Sequence, residues 1–303
     1  MQELVVISGK GGTGKTSTVA AFATLAKQAV LADCDVDAAD LHLILSPTIQ
    51  YREDFRGGKR ASINPELCLG CGKCQQFCRF DAIYATDNGT YQVNPLACEG
   101  CGVCQLVCPG EAVDFDLAAN GEWYLSQTRL ENPMVHAKLG IAEENSGKLV
   151  TLVRQKAKTI ATEQNYPLIV TDGSPGIGCP VMASLTGADF ALVVTEPTPS
   201  GLHDLQRLVQ LLQRFQMPGM VYVNKFDLNL ELTEKIETYA RAQGLSVVGR
   251  MPYTPAVTAA QTEGLSVVEF DSGEAAASMR NIWQQVNREM QKQSQTQKVY
   301  QTC

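Results

Sequence analysis

Four cysteines stand at Cys68, Cys71, Cys74 and Cys78 in CLGCGKCQQFC, spaced two, two and three residues apart. The spacing returns thirty residues later at Cys98, Cys101, Cys104 and Cys108 in CEGCGVCQLVC, which runs on into Pro109. Residues 63–83 and 93–113 are identical at ten of twenty-one positions, all four cysteines included. Thiolate is a soft ligand that suits iron–sulfur clusters and zinc. The two-residue spacing lets three thiolates and the loop amides converge on one face. Gly70, Gly72, Gly100 and Gly102 let the backbone approach closely. Zinc is the rival, but zinc ribbons usually show two separated C-x2-C pairs, not a triplet with a fourth cysteine further on. Disulfides are a third possibility and suit an oxidising compartment.

A second group of residues suits phosphate chemistry. The apolar run Leu4 to Ile7 leads into SGKGGTGKTS and then into TVAAFATLA, a strand, a glycine-rich loop and a helix. Gly9 to Thr16 fits G-x-x-x-x-G-K-[ST] in the context that confirms a P-loop. Its amides would form an anion nest, to which a helix N-terminus adds positive potential. Lys15 should reach the β- and γ-phosphates and Thr16 should ligate Mg²⁺. Two further apolar strands end in carboxylates, AVLADCDVDAADLHL with Asp33, Asp35 and Asp37, and PLIVTDGSPGIG with Asp172.

The elements needed to hold these residues follow from pattern. At 303 residues the chain has room for about two domains. Strands alternate with amphipathic helices, which predicts an α/β fold with a mostly parallel, doubly wound sheet and helices on both faces. Ligands then gather at the carboxyl ends of its strands. Residues 122–140 read as two strands joined by a turn at Glu131-Asn132-Pro133. A helix over about 274–292 carries Ala276, Met279, Trp283, Val286 and Met290 at spacings of three and four, a core-facing stripe.

Composition excludes several classes. A net charge of −7 disfavours a nucleic-acid binder or a surface drawn to anionic lipid. No apolar run approaches the ~20 residues that span a bilayer, and MQELVVISG has no signal-like pattern. The expected location is a reducing cytoplasm, where eight of eleven cysteines gathered between 68 and 108 point to metal.

The cysteine block resembles the bacterial two-cluster ferredoxins, in which the fourth cysteine of each run reaches the other cluster. That resemblance implies one [4Fe–4S] cluster on Cys68, Cys71, Cys74 and Cys108, and a second on Cys98, Cys101, Cys104 and Cys78. Arg79 departs from the pattern, which carries proline there. KGGTGKT, with its early Lys10, resembles the deviant Walker A loop of the MinD/ParA group and of the nitrogenase iron protein. In that group the early lysine crosses to the partner subunit's phosphates in an ATP-sandwich dimer, as an arginine finger does in trans.

Taken together the chain is identified as resembling a MinD/ParA-superfamily P-loop ATPase with an inserted small α+β bacterial-ferredoxin-like domain. The ATPase would occupy 1–59 and 119–303, the insertion 60–118. By resemblance, Gly9, Lys10, Gly11, Gly12, Thr13, Gly14, Lys15, Thr16 and Ser17 bind nucleotide, with Gly176 sensing the γ-phosphate, Asn224 reading adenine and Pro252 lying over the base. Lys10, Lys15 and Asp35 would be catalytic, Asp35 orienting the attacking water. Thr16 and, through water, Asp172 would hold Mg²⁺. ATP, Mg²⁺ and two [4Fe–4S] clusters are the implied cofactors.

Of the remaining cysteines, Cys34 reads as a core residue and Cys179 as a structural or interface thiol. Cys303 is not placed for prenylation, and His136 reads as packed or half-exposed. Three functions stay open. The first is an ATPase whose dimerisation, with itself or a related ATPase, gates electron flow through the clusters to an acceptor protein. The others are a cofactor-assembly carrier and a redox-sensing positioning switch; no membrane or nucleic-acid partner is expected. The ferredoxin segment lies downstream of the Asp35 strand, so nucleotide state is expected to move it.

Overall fold

The computed structural model describes residues 1–140 and 146–301. In chain order the elements begin with β1 (Gln2–Ser8), α1 (Lys15–Leu25), β2 (Ala29–Asp33), α2 (Leu41–Leu45), β3 (Thr48–Phe55) and β4 (Gly58–Ile63). Next come α3 (Lys73–Gln76), β5 (Ile83–Ala85), β6 (Tyr91–Val93), α4 (Val103–Leu106) and β7 (Val113–Ala118). They continue with β8 (Gly121–Gln127), β9 (Pro133–Leu139), α5 (Ser146–Glu163), β10 (Leu168–Pro175), α6 (Cys179–Leu185), β11 (Phe190–Thr195) and α7 (Pro199–Arg214). The last are β12 (Gly219–Asn224), α8 (Leu230–Ala242), β13 (Ser246–Met251), α9 (Pro255–Thr262), α10 (Val267–Phe270) and α11 (Glu274–Gln301). The described residues divide into two compact units, 1–52, 123–137 and 146–301 against 53–122 and 138–140.

The larger unit is built on a nine-stranded sheet of order β13-β12-β11-β1-β10-β2-β9-β8-β3. Every pairing from β13 through to β9 is parallel. Parallel strands covered on both faces must be apolar on both, which accounts for the unbroken runs LVVI and ALVV. Alternation along β1 sends Leu4 and Val6 to one face and Val5 and Ile7 to the other. On the first face α1, α10 and α11 pack over Phe22, Tyr222 and Trp283. On the second, α6, α7 and α8 cover Val181, Leu205 and Ile236. Ala276, Met279, Trp283, Val286 and Met290 are all buried, the stripe expected of that helix. The turn between β8 and β9 runs Thr128–Asn132, closed by the Thr128 N–H on the Asn132 carbonyl at 3.0 Å. Pro133, expected in the turn, opens β9 instead, where a missing N–H costs least. The Cys303 reading lies outside the described residues.

A buried ion pair ties this sheet to its helices. Arg154 on α5 grips Glu3 of β1 through Nε and Nη2, both at 2.7 Å, and gives Nη1 to the Ala183 and Thr186 carbonyls. Lys158 and Thr171 complete the Glu3 carboxylate at 3.2 and 3.1 Å. His136 on β9 is buried, stacked on Tyr124 and hydrogen-bonded at Nε2 to Ser126 Oγ at 2.8 Å. Burial, reinforced by His42, lowers its pKa to about 4.

The smaller unit has a duplicated plan. Its first repeat is β4, α3, β5 and its second is β6, α4, β7, with strands exchanged: β4 pairs antiparallel with β7, and β5 with β6. The duplication extends to the backbone, where Gly70 and Gly72 at φ 66° and 73° match Gly100 and Gly102 at 64° and 76°. Asp81 and Glu111, thirty residues apart, share φ of 49° and 50°. A side chain at Gly70 would strike the Gly89 carbonyl, and one at Gly100 the Lys59 carbonyl. Its buried apolar cluster is small, Ala61, Ile83, Val113 and two cysteines, Cys74 and Cys104, with Ile63, Tyr91, Val93 and Phe115 packed against it.

Candidate nucleotide site and cysteine cavities

At the carboxyl ends of the parallel strands a cavity of about 790 Å³ opens in the larger unit. That size falls within the range of small-molecule sites. One end is the loop after β1, Gly11 to Thr18, where Gly12 and Gly14 take φ of 75° and 97° that favour glycine. Gly14 precedes α1, so the Lys15 and Thr16 amides open a helix N-terminus toward the cavity. A side chain at Gly14 would also run into Asn224. Gly9 and Lys10 lie outside the cavity lining, and Gly9 is covered by Asp204.

Lys15 is buried among carboxylates, 3.3 Å from Asp35 Oδ2 and 3.9 Å from Asp172 Oδ1. Asp33 and Asp172 face each other across the register of β2 and β10. Burial raises the pKa of Asp35 against the pull of Lys15, and raises that of Asp33, helped by the Asp172 charge. Burial likewise carries Asp172 up to about 6 against the pull of Lys15. Both Asp172 carboxylate oxygens are buried without a hydrogen-bond partner. Buried, unsatisfied carboxylate oxygens are rare unless something else neutralises them. Beside Thr16 they fit a hydrated divalent cation.

The other sequence-predicted residues are placed as follows. Lys10, rather than reaching outward, forms an ion pair with Glu196 Oε1 at 2.6 Å and bonds Ser200 Oγ at 3.2 Å. Asn224 gives Nδ2 to the Thr13 carbonyl at 2.8 Å and accepts the Lys225 N–H on Oδ1 at 3.0 Å. The Gly176 N–H donates to the Ser8 carbonyl at 2.9 Å, so a phosphate contact there requires that bond to break. Ser17 lines the cavity and accepts from Gln261 Nε2 at 2.8 Å. Pro252 lines the far end with Tyr253 and Thr254. Cys34 is fully buried, whereas Cys179 is exposed at the start of α6.

Two residues at the loop escaped sequence reasoning. Glu196, at the end of β11, bridges Lys10 and Lys225, the latter at 3.2 Å. Burial pushes its carboxyl up, but hydrogen bonds from the two lysines win and hold it below the ordinary range. Lys225, left-handed at φ 54°, reaches the Gly12 carbonyl at 3.2 Å. The available signal was position alone: both residues stand just past the carboxyl end of a buried parallel strand.

In the smaller unit two cavities carry the cysteines. Cys68, Cys71, Cys74 and Cys108 line one, with Tyr91 and Val113. Cys78, Cys98, Cys101 and Cys104 line the other, with Ile83 and Val93. Each cavity therefore draws three cysteines from one repeat and the fourth from the other. Burial raises the pKa of the Cys74 and Cys104 thiols. The Ala112 N–H donates to the Cys108 sulfur at 3.3 Å. All ten described cysteines are free thiols, and among the described residues no three His, Cys, Asp or Glu side chains converge as ligands of a single metal ion.

A parallel sheet with a phosphate loop after its central strand and acidic strand ends beside it defines a P-loop nucleotide-binding protein. Residues 4–267 match the CobQ/CobB/MinD/ParA nucleotide binding domain, and the chain belongs to that family. The chain is 34% identical over 238 residues to protein MJ0578 of Methanocaldococcus jannaschii, covering 76% of this chain and 80% of that one. Among solved structures it is similar to the septum site-determining protein MinD of Pyrococcus horikoshii in complex with Mg-ADP. There the TM-score is 0.57 at 18% identity, over 94% of this chain and 95% of the other. Apo McdA of Cyanothece gives 0.57 at 14% identity, over 94% and 99%. These two likenesses concern the fold. No helix among the described residues is long and apolar enough to cross a membrane.

Proposed function

We propose that the larger unit is a Mg²⁺-dependent nucleoside triphosphatase, an ATPase by likeness to its family, and that residues 60–118 form an inserted ferredoxin-like domain. That domain would carry two [4Fe–4S] clusters whose electron flow to a partner protein answers to the nucleotide state. The observation that carries the reading is the sorting of eight cysteines into two cavities of four, each completed by the opposite repeat. A cubane takes one thiolate at each of its four irons, which matches four cysteines per cavity, and supplies one-electron transfer when bound. Cys68, Cys71, Cys74 and Cys108 would hold one cluster, and Cys98, Cys101, Cys104 and Cys78 the other. The Ala112 N–H would place positive potential on the Cys108 thiolate and favour the reduced state there.

At the phosphate end, Lys15 leaves Asp35 and Asp172 to neutralise the β- and γ-phosphates. Thr16 would supply an oxygen to Mg²⁺, and Asp172 would balance its charge through a water. Asp35, released from Lys15, orients the attacking water. Lys10 leaves Glu196 and reaches the phosphates of a second subunit, a homodimer or a pair with a related ATPase. Hydrolysis is then slow in the isolated monomer. A second reading, cluster delivery, draws on Cys71 and Cys101, which are exposed. The test is redox titration of anaerobically purified protein by electron paramagnetic resonance, with ADP and with a non-hydrolysable ATP analogue. A nucleotide-dependent shift of potential supports gating. Unshifted clusters that pass to an apo-acceptor support delivery, and iron-free protein refutes both.

A further inference from the structure

The two cysteine cavities are built alike but not walled alike. Of the twelve residues lining the cavity of Cys68, Cys71, Cys74 and Cys108, eleven have a counterpart thirty positions away in the other lining, so the walls can be compared place by place. Six of those pairs are identical and two exchange isoleucine with valine. Three differ in kind: Leu69 against Glu99, Gly110 against Phe80, and Tyr91 against Ala61. The first two differences are coupled in space. A side chain at Gly110 would meet Leu69 Cγ at 2.9 Å, so Leu69 lies over that glycine. In the second cavity Phe80 takes the place of the glycine, and the position left over holds Glu99. Cysteines aside, Glu99 is the one ionisable acid or base among the residues of either lining, Tyr91 excepted.

One-electron reduction adds negative charge to a site that four thiolates already make negative. A carboxylate in the wall opposes it, and an N–H aimed at a ligand sulfur favours it. Both differences run the same way here. The first cavity has the Ala112 N–H on the Cys108 sulfur at 3.3 Å and no carboxylate, lysine or arginine in its lining. The second has Glu99 in its lining between Cys98 and Cys101. Outside the linings, Arg79 adjoins Cys78 and opposes Glu99, while Lys73 and Glu66 flank the first run of cysteines and offset each other. All three are exposed and stand away from the walls, where water and salt screen them. Glu99 is exposed as well, so its influence is a few-fold one. We propose that Glu99 is the residue that sets the two sites apart, its carboxylate making the site of Cys78, Cys98, Cys101 and Cys104 the harder of the two to reduce. The proposal rests on both cavities holding clusters and concerns only which of them takes an electron first.

The test is redox titration of the full-length, cluster-loaded protein, followed by electron paramagnetic resonance, for the wild type, Glu99→Gln and Leu69→Glu. Both positions are exposed and neither is a ligand, so each variant should keep about eight irons. The wild type should reduce in two one-electron steps. Glu99→Gln should raise the lower step about 3- to 10-fold in the ratio of reduced to oxidised form, about 30 to 60 mV for one electron. It should leave the upper step within about 2-fold. Leu69→Glu, which gives the first wall the same charge, should lower the upper step by a like amount. Cys74→Ser/Cys108→Ser, which empties the first cavity, should keep only the lower step. A Glu99→Gln protein in which the upper step moves, or neither does, overturns the proposal. So does a wild type that takes both electrons in one unresolved step, or survival of the upper step in the double serine variant. In each of those cases the clusters themselves stand, whereas iron-free wild type overturns the cluster reading as well.

Discussion

Glu196→Gln tests whether Lys10 is stored in cis. Lys10 Nζ lies 2.6 Å from Glu196 Oε1, with Lys10 38% and Glu196 12% exposed. Exposed pairs contribute about 0.2–1 kcal/mol, and this one belongs near the upper end, because Glu196 is mostly buried and Lys225 and Ser200 fix its geometry. If Lys10 must leave Glu196 to reach the other subunit, each protomer spends about 1 kcal/mol on association, and a symmetric dimer about 2. Glu196→Gln keeps the shape, removes the charge and recovers most of that. The ATP-dependent dimer should tighten by about 10- to 30-fold, since 1.4 kcal/mol is a factor of ten. Sedimentation velocity with a non-hydrolysable ATP analogue measures it, with Lys10→Ala as the control that abolishes the dimer. The gain should shrink near 1 M salt, where the screening length is about 3 Å. An unchanged dimer constant for Glu196→Gln, with Lys10→Ala still monomeric, refutes the latch.

Four further outcomes are expected. Iron analysis should show about eight irons in the wild type and about four in Cys74→Ser/Cys108→Ser, whose lost ligands share one cavity. Cys74→Ser/Cys78→Ser should lose nearly all, whereas uncrossed ligation would spare four. Arg154→Ala strands the Glu3 carboxylate with Lys158 and Thr171 and should cost about 3 kcal/mol in urea unfolding; a loss below about 1 would show that Glu3 has rehydrated. Folding holds His136 neutral, its pKa falling from 6.5 to about 4, so its contribution is intact above pH 6.5 and drains away between there and about 4. At pH 5 the loss is about 2 kcal/mol, and His136→Gln should remove that much of the drop in stability between pH 7 and 5. Asp172→Asn should abolish Mg²⁺-stimulated hydrolysis while leaving thermal stability unchanged or raised, because burial of the carboxylate costs more than its long 3.9 Å pairing with Lys15 returns.

The large mostly parallel sheet was legible because strands covered on both faces leave continuous apolar runs, as in Leu4–Ile7 and Ala191–Val194. The last helix was legible because Ala276 to Met290 recur at helical spacing. The duplication was plain in ten shared positions, but the exchange of strands between its halves was not, since pairing depends on residues distant in the chain. Side-chain partners were less accessible still. No pattern tells that Lys10 turns back to Glu196, that Asn224 serves the loop at Thr13, or that the Gly176 amide is spent on Ser8. Each follows from which strand ends meet at the sheet's carboxyl edge, and that is a property of topology. Pro133 shows the smaller error of the same kind: turn composition marked a bend but could not assign its last residue to the following strand.

The exchanged pairing of β4 with β7 also sets a timetable for synthesis. Ile63 and Val113 are 50 positions apart and Gly58 and Ala118 are 60. Closing such a loop costs only a little more than closing a short one, so the delay comes from translation, not from entropy. At about 5–20 residues per second, β4 waits some seconds outside the ribosome for its mate. The first cavity lacks its fourth thiol until Cys108 has emerged, and the second lacks its last until Cys104 has. A chain ending near residue 90 would therefore hold three thiols of the first cavity and one of the second, so both sets of four are completed together, within four residues of each other, at Cys104 and Cys108.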